Sequence, residues 1–149
     1  MWFAENIIAK MENLDTIDLS NSNNSRHRSD VGRGIEKILN ATHELSIASI
    51  NISINILGDD GFKYLKEFFE QTPTLKALKA ASCELESASC PIFEKAIRVG
   101  KPKMREIDLD SNKISGLGFK ALFVGLESMK SIEIVNVSNN ITEHDDDCL

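Results

Sequence analysis

Several things are scarce in this 149-residue chain, and each shortage excludes a class of function. No run approaches the roughly eighteen consecutive apolar residues that a membrane helix needs. The opening MWFAENIIAKMEN places Glu5 where a secretory signal would keep an uninterrupted apolar centre, and no cleavage pattern follows. Cys83, Cys90 and Cys148 are odd in number and stand at no metal-ligand spacing, which argues against both a disulfide framework and a zinc site. Triplets such as Asn40-Ala-Thr42 and Asn136-Val-Ser138 then read as chance products of an Asn- and Ser-rich chain. A reducing setting is expected, cytoplasmic by default. Basic residues are not in excess. The net charge of −6 argues against nucleic-acid binding, which normally needs a basic stripe. Most of that charge comes from Glu143, Asp145, Asp146 and Asp147 in the segment EHDDDCL, expected as an acidic tail over 143–149.

Catalytic signatures are missing as well. There is no GxxxxGK loop, GxSxG elbow, HExxH helix or CxxC pair. Gly32 and Gly34 in VGRGIEK lack the preceding strand and third glycine of a dinucleotide fingerprint. No catalytic residue, cofactor or metal ligand is expected. His144 beside three Asp and a Cys has no fixed geometry for a metal.

What the chain does have is a repeat. In MREIDLDSNKISGLGFKALFVGLESM, residues 104–129, apolar residues keep strand spacing up to an Asn and then take up helical spacing. Met104, Ile107, Leu109, Asn112 and Ile114 occupy positions 1, 4, 6, 9 and 11 of a frame. Leu75, Leu78, Ala80, Cys83 and Leu85 fill it 29 residues earlier, and Ile47, Ile50, Ile52, Asn55 and Leu57 another 28 earlier. Ile132, Val135, Val137, Asn140 and Thr142 repeat it downstream, while Leu14, Ile17, Leu19 and Ser22 fit upstream after a longer gap of 33. Self-similarity of this length and register is the signature of a solenoid. Positions 4 and 6 fall on one side of a short strand, and position 5 on the other. The Asn amide at position 9 suits a backbone turn. Helical sets follow: Ile35, Ile38, Leu39; Phe62, Leu65, Phe68, Phe69; Ile92, Phe93, Ala96, Ile97; and Phe119, Leu122, Phe123, Leu126.

With its LxxLxLxx(N/C)xL frame and 28- or 29-residue period, the chain resembles leucine-rich repeats of the ribonuclease-inhibitor-like subtype. The resemblance covers nearly the whole chain. It implies an α/β solenoid, a short horseshoe of about five repeats with parallel strands on the concave face and α-helices on the convex face. The repeat domain is expected over 1–142, with repeats starting near 14, 47, 75, 104 and 132. Residues 1–13 read as the helical half of a partial repeat or a cap, with Phe3, Ile7, Ile8 and Met11 on one side. The chain is either a piece of a longer solenoid or a short form whose ends are covered by a cap, a partner or a second copy.

Candidate site residues follow from the frame. Positions 5 and 7 would line the concave face as Asp18 and Ser20, Asn51 and Ser53, Lys79 and Ala81, Asp108 and Asp110, Asn136 and Ser138. They are either solvated strand positions or a binding face, and they include no aromatic anchor. The insertion SNSNNSRHRSDVGRG is read as a loop carrying Arg26, His27, Arg28 and Arg33, either solvated or able to bind an acidic segment or phosphate. The expected function is a non-enzymatic protein-interaction module, scaffold or regulator with a protein partner. An alternative is an actin-regulatory domain similar to tropomodulin-like or capping-protein-linker-like proteins. Another is a Ran-type GTPase activator using Arg26 or Arg28. A further one is self-association through uncapped end repeats.

Overall fold

The computed structural model describes residues 7–22 and 27–140. Five three-residue strands, β1 (Thr16–Asp18), β2 (Ser49–Asn51), β3 (Ala77–Lys79), β4 (Glu106–Asp108) and β5 (Ile134–Asn136), form one parallel sheet in chain order. Each covers positions 3 to 5 of its repeat, and the registers agree: Ile17 lies beside Ile50, Ile50 beside Leu78, Leu78 beside Ile107 and Ile107 beside Val135. Position 4 therefore stacks on position 4 throughout.

The strands are joined by helices, α1 (Arg28–Asn40), α2 (Gly58–Phe62), α3 (Lys66–Gln71), α4 (Ser89–Gly100) and α5 (Gly116–Leu126). Neighbouring strands need about 4.8 Å each, whereas packed helices need about 8–10 Å. A sheet tied to a helix layer in this way curves, with the strands inside. In the second repeat the expected single helix is split, a 3-10 turn at Lys63–Leu65 separating α2 from α3. Of the helix expected over residues 1–13, a 3-10 turn at Ile8–Lys10 is present, with Met11 exposed; Trp2 and Phe3 lie outside the described residues.

The core lies between the two layers. Ile47, Ile50, Ile52, Leu57, Leu75, Leu78, Ala80, Met104 and Ile107 lose all solvent contact. Each large one contributes about 1.5–3 kcal/mol by leaving water. From the helix side, Phe62, Phe69 and Phe93 meet with ring centroids 5.1–6.2 Å apart. α1 crosses α2 at two glycines. A Cβ on Gly32 would stand 2.4 Å from the Gly61 carbonyl oxygen, so the first glycine of VGRG serves close helix approach.

The last helix departs from expectation. Phe123 was placed with Leu122 and Leu126 on an inward face, but it is 47% exposed and stacks on Phe119. Leu122 and Leu126 pack onto α4, whereas Phe123 lies on the flank where, among the described residues, no further helix follows.

The asparagine ladder holds successive repeats together. The Asn112 amide donates to the carbonyls of Ala80, Leu109 and Asp110, and its oxygen accepts the N–H groups of Cys83 and Leu85. Asn55 and Asn140 repeat the arrangement. Cys83 substitutes its thiol, which donates to the Ile52 carbonyl at 3.2 Å. Among the described residues, no buried side-chain polar atom lacks a partner.

Candidate functional site: the concave strand face

Positions 5 and 7 sit side by side across the sheet, and the structure gives most of them a local task. The Asp18 carboxylate accepts the Ser20 N–H at 2.8 Å, and Asn51 accepts that of Ser53 at 3.1 Å. Asp108 accepts the Asp110 N–H at 3.0 Å, and Asn136 that of Ser138 at 3.1 Å. Asp or Asn at position 5 thus caps the backbone as the strand ends, an Asx turn. Lys79 is the exception; its ammonium reaches Glu106 at 3.6 Å. Ser53 also accepts the Ala81 N–H of the next repeat.

Further bonds tie the row together sideways. Asn51 donates to the second Asp18 oxygen at 3.3 Å. Asp110 is held by Ser111 at 2.9 Å and Asn139 at 2.8 Å. Beside them Arg105 and Glu133 form a two-pronged pair at 2.9 and 3.0 Å. The pair raises the Arg105 pKa, but both side chains are largely exposed, so its contribution to stability is small. Asp18 is lowered below its ordinary value, first by the Ser20 hydroxyl and then by the Ser20 N–H.

The frame did not anticipate position 8. Asn21, Ile54, Ser82, Ser111 and Asn139 all have φ between 51° and 60°, the left-handed region. This conformation turns the chain after each strand, and Asn tolerates it. The Asn at position 8 in the first and last repeats was the available signal. Ile54 is the anomaly: β-branched, left-handed and 57% exposed beside the polar row.

The arginine loop requires correction. Arg28 begins α1 and Arg33 lies inside it, so neither belongs to an unstructured insertion. Arg28 lies across Gly58 and pairs with Glu84 at 2.5 Å. Arg33 donates from Nε to the Tyr64 hydroxyl at 3.1 Å and sits over its ring. The His27 carbonyl accepts from Asp30 and Val31 at the helix start. Arg26 lies outside the described residues, as do Thr142 and the expected acidic tail with His144. The structure therefore gathers the concave row into one strip but does not bring Arg28 and Arg33 together as an anion site. Among the described residues, no cluster of three His, Cys, Asp or Glu could hold a metal, and no helix is long and apolar enough to cross a membrane.

No protein-family model matches the chain. Over 89 residues, 58% of its length, it is 33% identical to "NACHT, LRR and PYD domains-containing protein 14" of Mus musculus; that stretch spans 9% of the mouse protein. Among solved structures it is similar to a tropomodulin C-terminal domain of Caenorhabditis elegans. The TM-score is 0.67 at 19% identity, covering 86% of this chain and 75% of the other. It is also similar to the structure titled leiomodin-1 actin-binding site 2, at TM-score 0.71 and 9% identity, covering 95% and 77%. At such identities the likeness is one of fold. With its repeat frame and its single parallel sheet, the chain has the fold of a short leucine-rich repeat solenoid.

Proposed function

We propose that the chain is a non-enzymatic protein-interaction module that engages a protein partner through its concave strand face. One observation carries this reading: Asp18, Asn51, Asp108 and Asn136 at position 5 form a polar row, interrupted by Lys79, whose side chains are held by bonds from the following backbone. Side chains already held lose little freedom on binding, so a polar strip of this kind gives specificity at low entropic cost. Ile54 adds an apolar contact on the rim. The setting is cytoplasmic, where the free thiols Cys83 and Cys90 stay reduced.

The test is capture from a cytosolic extract by wild type and by Asp108→Lys with Asp110→Lys, with circular dichroism confirming the fold. Lys79 already occupies the Asp108 position in the neighbouring repeat, so a lysine there fits the strand. A partner held by wild type and lost by the double variant supports the reading; identical capture by both overturns it.

A narrower reading is that the partner is actin. It rests on the likeness to leiomodin-1 actin-binding site 2, whose structure matches 95% of this chain. Co-sedimentation with actin filaments, together with polymerisation followed by pyrene fluorescence, tests it. No pelleting and no change in polymerisation at tens of micromolar protein removes actin and leaves the broader reading standing.

A further inference from the structure

On the side of the solenoid where helices turn back into strands, a cleft of about 710 Å3 opens between the third and fourth repeats. Its floor is apolar, built from Ile97, Pro102 and Met129, and its rim carries Lys101, Lys103 and Lys130 together with Arg98. Lining groups include no acid. Arg98 pairs with Glu94 on its own helix, whereas among the described residues no ion pair engages Lys101, Lys103 or Lys130.

Lysines commonly follow helix ends because carbonyl dipoles attract them, and this must be weighed first. Each helix C-terminus supplies about half a negative charge. The ends of α4 and α5 together supply about one, against three unpaired ammonium groups. The cleft keeps an excess of roughly two positive charges in a chain whose net charge is −6. Lys101 is also held in the left-handed region, φ 47°, where the chain leaves α4 and its N–H bonds to the Ile97 carbonyl. Its position on the rim is thereby set by the backbone.

We infer that this cleft docks an acidic peptide segment of a partner protein, carboxylates on the lysine rim and one apolar side chain on the Ile97–Pro102–Met129 floor. Charge complementarity carries the carboxylates. The apolar floor favours a peptide with an apolar residue over a nucleic acid, since no aromatic ring lines the cleft for base stacking. This surface lies at the strand entrances, apart from positions 5 and 7, so its occupancy is independent of the concave face.

Fluorescence anisotropy tests the proposal with a labelled heptapeptide of six aspartates around a central leucine. Comparison probes are the same peptide with serine in place of aspartate, and a labelled 12-base single-stranded oligonucleotide. Wild type is expected to bind the acidic peptide, with affinity falling at least tenfold between 50 and 300 mM salt, as expected of a charge-driven contact (an order-of-magnitude figure). The triple variant Lys101→Glu, Lys103→Glu, Lys130→Glu is expected to lose at least tenfold, with an unchanged circular dichroism spectrum. A charge-matched control, Lys37→Glu with Lys113→Glu and Lys120→Glu at exposed positions outside the cleft, is expected to bind as wild type does. Equal binding by the triple variant, no binding by wild type at 200 µM (roughly a millimolar-class site), or tighter binding of the oligonucleotide would overturn the inference.

Discussion

Replacing Ile54 is expected to cost far less than its chemistry would imply, and the structure gives the size of the effect. Its φ of 60° puts a β-branched residue in the left-handed region, where an L side chain costs roughly 1–2 kcal/mol. Glycine has no such penalty. Two residues on, Ile56 is exposed to a similar extent, 42% against 57%, and has no positive φ. The two glycine variants therefore lose comparable apolar contact, the difference in burial being worth less than about 1 kcal/mol. Both also gain the same freedom in the unfolded chain. What separates them is the relief of strain at position 54. Ile54→Gly is expected to be more stable than Ile56→Gly by about 1–2 kcal/mol, a gap of about 2–8 °C in Tm for a chain of this size. Ile54→Asn, matching Asn21 and Asn139 at the same place in their repeats, is expected to equal or exceed wild type. Urea and thermal melts followed by circular dichroism measure both. Equal destabilisation by the two glycine variants would refute the strain argument.

Other consequences are as specific. Gly32→Ala forces a methyl against the Gly61 backbone and is expected to cost about 1–3 kcal/mol, read from urea midpoints; a neutral result would mean that α1 and α2 separate freely. Asn112→Ala strands several buried backbone groups and is expected to cost about 3–5 kcal/mol, far more than Asn139→Ala on the exposed rim; comparable losses would remove the ladder from the account. Burial pushes the Cys83 thiol up to about 11 and the Cys90 thiol up to about 12, leaving on the order of a thousandth or less as thiolate at pH 8. In a Cys148→Ser background neither should react with Ellman's reagent until urea unfolds the chain; rapid labelling of folded protein would contradict that. For Asp18 the native value is depressed, so its linkage to folding contributes stability above the ordinary Asp value and loses it as pH falls through the lowered one. Carboxyl titration by NMR should find a midpoint below 3.8 that rises in Ser20→Ala, and a wild-type midpoint at or above 3.8 would exclude the cap.

How much of this could be read from the residues varies with the physics involved. The strands were readable because Ile50 and Ile52, Leu78 and Ala80, Ile107 and Leu109 alternate with polar residues, and burial on one face enforces that alternation. Helix existence was readable from three- and four-residue apolar spacing, but the 3-10 turn at Lys63–Leu65 was not, since apolar periodicity is blind to a local change in hydrogen bonding. The Ser- and Asn-rich run ahead of Arg28 looked like one long loop. Val31, Ile35 and Leu39 make a helix of its second half, and the Arg28 side chain at its start meets Glu84, 56 residues away. No local pattern reports such a partner. The concave candidates were placed by the frame, yet their capping role was hidden: Asp and Asn two residues before a turn serve either a ligand or the backbone, and only the bonds distinguish the two. The basic cleft unites Lys101 and Lys103 of one repeat with Lys130 of the next, a meeting that only the solenoid's stacking produces.

The most direct test of the concave-face account is hydrogen exchange on the chain with and without its captured partner. The account predicts added protection over residues 49–54, 77–82 and 106–111, with α1 and α4 unchanged. Protection confined to those outer helices, with the strand segments exchanging as in the free chain, would contradict it.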